Sequence, residues 1–190
     1  MGLTRTQDPA IEPVDLATAK LQLRVIDTAE DALITMLIAA ARRYAEGYCN
    51  RSFITQKWRL TLDRFPPVVK LERGPVQSVD SIVYVDMSGS TQTVTAPALP
   101  NYAIDLSGPF ARMAPGFGRI WPIPLPQLAA VQINFTAGYG PAATDVPEGI
   151  RQWILMRVNT LYENREEVGG KVEAIPYLDR LLDDYVCAQA

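Results

Sequence analysis

The sequence predicts an α+β protein, with N-terminal and C-terminal helices packed together and a β-rich insert between them. Three observations predict it. Apolar residues recur at helical spacing over 15–50, the period falls to two over 51–140, and helical spacing returns over 145–186. At 190 residues the chain is expected to be a single domain, long enough to bury a core without disulfides or metals.

Residues 1–13 are polar, carry Pro9 and Pro13, and are expected to be a loose arm. Asp15 is placed to cap a short helix whose Leu16, Ala19 and Leu23 share a face. Thr28 and Asp31 have capping-box spacing and open a long helix to about Cys49. Leu33, Ile34, Leu37, Ile38, Ala41, Tyr44, Ala45 and Tyr48 are its apolar positions, and Arg42, Arg43 and Glu46 mark its solvent side. Asn50 is a left-handed stop.

In the insert, Trp58, Leu60 and Leu62 alternate with Lys57, Arg59 and Thr61, as a half-buried strand requires. Val68 to Leu71 is a short strand, and Arg73-Gly74-Pro75 a break. Val79 to Val85 is apolar on both faces, as in an interior strand. Ser88-Gly89-Ser90 turns a hairpin. Tyr102, Ile104 and Leu106 mark one further strand, and Phe110 to Ala114 another. Trp121 to Pro126 has a proline at every second position, which excludes an inner strand because proline donates no ladder hydrogen bond. Pro97 to Pro100 has PxxP spacing and is expected to be a rigid loop.

The chain is organised around Val131 to Glu167. Val131, Ile133 and Phe135 form one face of a strand, and Gly138 and Gly140 permit the turn that follows. Asp145 and Glu148 have capping-box spacing, with Pro147 in the first helical turn. In the next helix Ile150, Ile154, Val158 and Leu161 form one stripe, while Trp153, Leu155, Met156 and Tyr162 spread over the rest of the circumference. Such a helix lies deep in a core or faces a second copy. Gly169-Gly170 loosens the chain, and a last helix is expected from about Pro176, with Leu178, Leu181, Leu182 and Tyr185 inward.

Net charge is -3, giving no general pull toward nucleic acid or anionic membrane. Residues 51–140 carry 8 basic and 5 acidic groups, and residues 141–190 carry 5 and 9. That polarity suits head-to-tail contact between subunits. Cys49 and Cys187 make no disulfide framework, so a reducing compartment is expected. No run reaches transmembrane length and no signal peptide is apparent, so no membrane partner is expected.

The sequence contains no histidine, which removes Ser-His-Asp chemistry and nearly all zinc sites. No phosphate-cradling glycine loop is present, and no cofactor or metal is expected. Three alternatives remain for function. Asp179, Asp183 and Asp184 could hold a hard cation in a carboxylate-based hydrolase, although their spacing lacks the glycine and distal glutamate of an EF-hand and a solvated helix face is the much simpler explanation. Trp121 and Tyr139 could be platforms of a β-module binding carbohydrate or protein through 51–140. Arg151, Trp153, Leu155, Met156, Arg157 and Tyr162, with Trp121, could form a subunit or partner interface. For Arg151 and Arg157 the simpler alternative is exposed pairing with Glu148 and Glu163.

Several stretches in order, ITQKWRLTLDRFP, RGPVQSVDSIVYVDMSG and INFTAGYG with VPEGIRQWILMRVNTLYENRE, resemble the head–tail connector (adaptor, head-completion) proteins of tailed bacteriophages and prophages. VDLATAKLQLRV with EDALITMLIAAARRYAEGYCNRSFITQ, and the ending LDRLLDDY, fit the same family. The likeness covers about residues 12 to 185. Relatives often close with Tyr-Arg where this chain has Tyr185-Val186. The resemblance implies a structural protein of the virion neck without catalysis, made in the bacterial host cytoplasm. It implies a homo-oligomeric ring docked on the portal, binding the next neck or tail-completion protein, with DNA only as a passenger through the channel.

Overall fold

The computed structural model describes residues 1–94, 102–108, 110–164 and 180–187. The PxxP stretch, Gly169-Gly170, Leu178, Asp179 and the expected helix start at Pro176 lie outside them. The chain mixes helices with antiparallel sheets and divides into two compact units. The β unit is Met1–Pro9 with Thr55–Gly138, and the helical unit is Ala10–Ile54 with Tyr139–Ala190.

In the β unit, β1 (Gly2–Gln7), β2 (Gln56–Leu62), β4 (Val76–Val85), β5 (Thr91–Thr93) and β8 (Val131–Ala137) form a five-stranded sheet in the order β1-β2-β8-β4-β5. A second sheet has the order β3-β7-β6, from β3 (Val69–Leu71), β6 (Tyr102–Asp105) and β7 (Ala111–Pro115). Strict alternation makes β8 the centre: Val131, Ile133, Phe135 and Ala137 are fully buried, and both β2 and β4 pair with it. One apolar cluster joins these residues to Trp58, Leu60 and Ile82 and to Leu71 and Met113 of the smaller sheet.

Two features correct the sequence reading. Residues 2–7 are strand β1 rather than a loose arm, with Leu3 opposite Leu60 and the Arg5 guanidinium over the Trp58 ring. One apolar side chain gave no periodic signal, and the strand depends on β2 as its template. Strand β4 starts at Val76 rather than Val79, and its register against β8 shifts between Val76 and Ser78 and again between Val79 and Ser81. Each shift reverses which side chains point inward, so a simple alternation could not be seen. The Gly89 turn closes as expected, with φ 82° and the Asp86 carboxylate accepting the Ser88 and Ser90 N–H groups.

The helical unit contains α1 (Leu16–Leu23), α2 (Asp31–Cys49), α3 (Glu148–Glu163) and the short α4 (Arg180–Asp183). All four supply side chains to one buried cluster, among them Ala19, Ile34, Ile38, Ile154 and Leu182. Asp15 caps α1 by accepting the Thr18 N–H at 2.6 Å, and these bonds hold its carboxyl below the usual range. Asn50 ends α2 at φ 51°, its N–H reaching the carbonyls of Glu46 and Gly47.

Neither capping box forms at the helices it was meant to open. Helix α2 begins after Glu30, without a side-chain cap, and Thr28 only lends a backbone carbonyl to Asp31. Pro147 occupies the N-cap of α3. Asp145 ends a separate 3₁₀ turn, Ala143–Asp145, where its carboxylate accepts the Ala142 N–H at 2.8 Å. A Cβ on Gly140 would lie 2.1 Å from that carboxylate, so the close approach demands glycine there.

The solvent side read for α2 is also corrected. Arg42 and Glu46 are buried, and only Arg43 of the three is exposed. Arg42 Nε donates to Glu12 at 2.7 Å and Nη1 to Glu46 at 2.9 Å. The second Glu46 oxygen accepts the Phe53 N–H at 3.0 Å. Burial disfavours the guanidinium charge, but the two carboxylates outweigh it and hold Arg42 above its ordinary value.

Candidate functional site

Chemistry can be considered first. Among the described residues no group of three or more His, Cys, Asp or Glu side chains could hold a metal. Asp183 accepts from the Tyr48 hydroxyl at 3.3 Å and Asp184 is exposed, while Asp179 lies outside the described residues. Burial pushes the Cys49 thiol up to about 12, which leaves almost no thiolate at neutral pH. Tyr139 is half-buried against the helical cluster and belongs to the helical unit rather than to the β unit. No helix of the described residues is long and apolar enough to cross a membrane.

The α3 residues separate into two groups. Ile150, Trp153, Ile154 and Val158 are buried, so Trp153 joins the stripe read from the sequence and offers a neighbour no surface. It is 1 % exposed and stacks on Tyr44 with ring centroids 5.7 Å apart. The reason is geometric: Trp153 follows Ile150 by three positions and therefore points the same way. Leu155, Met156 and Tyr162 are half-buried at the margin of the cluster.

Polar groups frame that margin. The Arg157 guanidinium lies over the Tyr44 ring, 5.6 Å from its centroid. The Tyr162 hydroxyl donates to the Glu30 carboxylate. Arg151 lies 3.8 Å from Glu148, and its Nε is buried without a partner. The outer face of α2 beside them exposes Met36, Tyr44 and Tyr48, eight and four residues apart along the helix.

The β unit carries an uncovered apolar segment. Phe117, Ile120, Ile123 and Leu128 are each more than 70 % exposed. Trp121 among them stacks on Phe65 at 4.9 Å, and its Nε1 is buried without an acceptor. The proline-rich run is extended and lies outside any strand, pinned where the Leu125 N–H donates to the Val85 carbonyl at 2.8 Å. A hollow of about 360 Å³ is lined by Tyr84, Thr93, Arg119 and Trp121. Another of about 740 Å³ is lined by Arg64, Pro124 and Leu128, and Ile123 borders both. Sequence reasoning singled out Trp121 and missed its four apolar neighbours, of which only Ile123 lies within the run of alternate prolines.

Residues 13–93 match the family model described as "Phage gp6-like head-tail connector protein", which bears out the resemblance read from the sequence. No curated protein sequence matches the chain. Solved structures share its fold along its whole length. A chain from the neck of an empty gene transfer agent particle, computed with C6 symmetry, superposes with a TM-score of 0.83 at 23% identity, covering 100% of this chain and 97% of that one. A chain from the virion of the native particle gives 0.81 at 22% identity, with the same coverage. A chain from the native neck computed with C12 symmetry gives 0.70 at 22% identity, again with that coverage.

Proposed function

We propose that this chain is a structural neck protein of a tailed phage or phage-like particle, acting without an active site as one subunit of a ring adaptor. The portal lies on one side of the ring and the next neck or tail-completion protein on the other. DNA passes through its channel. The protein is made in the host cytoplasm and ends in the virion neck. The observation that carries this reading is the whole-length likeness to chains from necks computed with C6 and C12 symmetry, taken with the connector-family match.

In a closed ring every subunit offers two different faces to its neighbours. One face is the proline-rich segment around Trp121, where Phe117, Ile120, Ile123 and Leu128 stand in solvent. The other is the α2–α3 margin, with Arg151, Leu155, Met156, Arg157 and Tyr162. Opposite net charges in 51–140 and 141–190 favour such head-to-tail contact.

Electron microscopy and sedimentation of the purified protein, alone and with its portal, test the proposal. Rings, or binding to the portal, are the expected result. A protein that remains monomeric and never binds portal overturns it.

A further inference from the structure

Leu182 to Cys187 lies against the C-terminal end of α2. The Tyr48 hydroxyl donates to Asp183, Arg51 Nε donates to the Tyr185 carbonyl at 2.7 Å, and the Cys187 N–H donates to the Cys49 carbonyl at 2.9 Å. Tyr185 also lies against Gly149 of α3, where an added Cβ would come within 3.4 Å of its hydroxyl. Neither cysteine is in a disulfide, and both are buried.

A backbone bond of that length, added to the N–Cα and O···Cα spans of the two residues, keeps the cysteine Cα atoms within about 6.8 Å of each other. Disulfides span about 4.4–6.8 Å between Cα atoms. The thiols also sense each other, since Cys187 is among the groups that raise the Cys49 thiol, after burial itself. Nothing in the ring reading uses either cysteine.

We propose that Cys49 and Cys187 form a reversible disulfide that locks the segment Leu182 to Cys187 onto the end of α2. The oxidant is a small disulfide such as oxidised glutathione. The Cys187 thiol, losing its proton, attacks it, forming a mixed disulfide and releasing one glutathione thiolate. The second protein thiol, losing its proton, attacks the protein-bound sulfur and expels the second glutathione. Two protein thiols give up two electrons and two protons, and one glutathione disulfide becomes two thiols. A reducing cytoplasm keeps the pair open, and an oxidising medium closes it. This chemistry stands whatever the chain assembles with.

The test uses the full-length chain, incubated with excess oxidised glutathione until no further change, then alkylated in denaturant. Closure lowers the intact mass by about 2 Da, prevents alkylation, and yields a Cys49–Cys187 cross-linked peptide that dithiothreitol cleaves. The closed protein melts roughly 5–10 °C higher than the reduced one, because the bridge closes a long loop. Cys49→Ser and Cys187→Ser each abolish closure. The proposal is overturned if both thiols of the wild-type protein remain alkylatable, if a glutathione adduct accumulates in place of the internal bridge, or if the cross-link joins two molecules. The wild-type measurements decide the matter even where a serine variant fails to fold.

Discussion

The two units treat awkward side chains in opposite ways. The helical unit takes charges inside and satisfies them: Arg42 lies between Glu12 and Glu46, and Glu46 also serves the Phe53 amide. It also encloses Trp153, the largest side chain of α3. The β unit has a largely apolar interior around β8, with Gln56 at its end, yet it leaves Phe117, Ile120, Ile123 and Leu128 in water. The difference is one of backbone. A helix can turn an oily residue toward its own core, whereas an extended run with alternate prolines belongs to no sheet and can hide little by itself. Uncovered apolar surface is therefore more plainly a property of the insert than of α3.

The largest effect is expected from removing one member of the buried charge group. Glu46→Ala leaves Arg42 short of a counter-charge and the Phe53 N–H without its acceptor. The expected cost is about 3–5 kcal/mol, measured by urea or thermal unfolding. A loss below about 1 kcal/mol would show that water replaces the carboxylate. Phe135→Ala probes the apolar interior on the other side of the comparison. Truncating this fully buried ring is expected to cost about 3–5 kcal/mol in the same measurement.

Next comes the contrast between margin and loop. Met156→Ala is expected to lower stability by about 1–2 kcal/mol, since the side chain is half-buried. The double change Ile120→Asp with Ile123→Asp is expected to shift stability by less than about 0.5 kcal/mol while abolishing self-association in sedimentation. Loss of the fold in that variant, or unimpaired assembly, would remove the loop from the interface.

The smallest effect concerns the β4–β5 turn. Hydrogen bonds from the Ser88 and Gln92 side chains and the Ser90 amide lower Asp86 to about 2. Because its folded value lies below the unfolded one, the turn's contribution is complete above about pH 4 and fades as pH falls toward 2. Carboxyl NMR titration of Asp86 is expected to show a midpoint near 2, and a midpoint near 4 would mean the turn is open in solution.

What the sequence disclosed follows from how far each signal reaches. The period of β8, the Asp15 cap and the Asn50 stop are written in adjacent residues and were legible. Trp153 was legible too, since it follows Ile150 at helical spacing and so shares its buried face. Arg42 could not be read correctly from α2 alone, because Glu12 lies thirty residues upstream in sequence. Strand β1 likewise exists only against β2. At the candidate surfaces, Trp121 was visible as a residue type, whereas the exposure of the apolar side chains near it is a fact of tertiary structure.

Strand β1 has one more implication, and it concerns handling of the molecule. By pairing along β2 it caps a row of amides and carbonyls that would otherwise face solvent. Trimming the first seven residues would strip that cap and leave a sticky border, inviting fibrous or amorphous aggregates in place of orderly particles. Expression vectors should therefore spare the amino terminus.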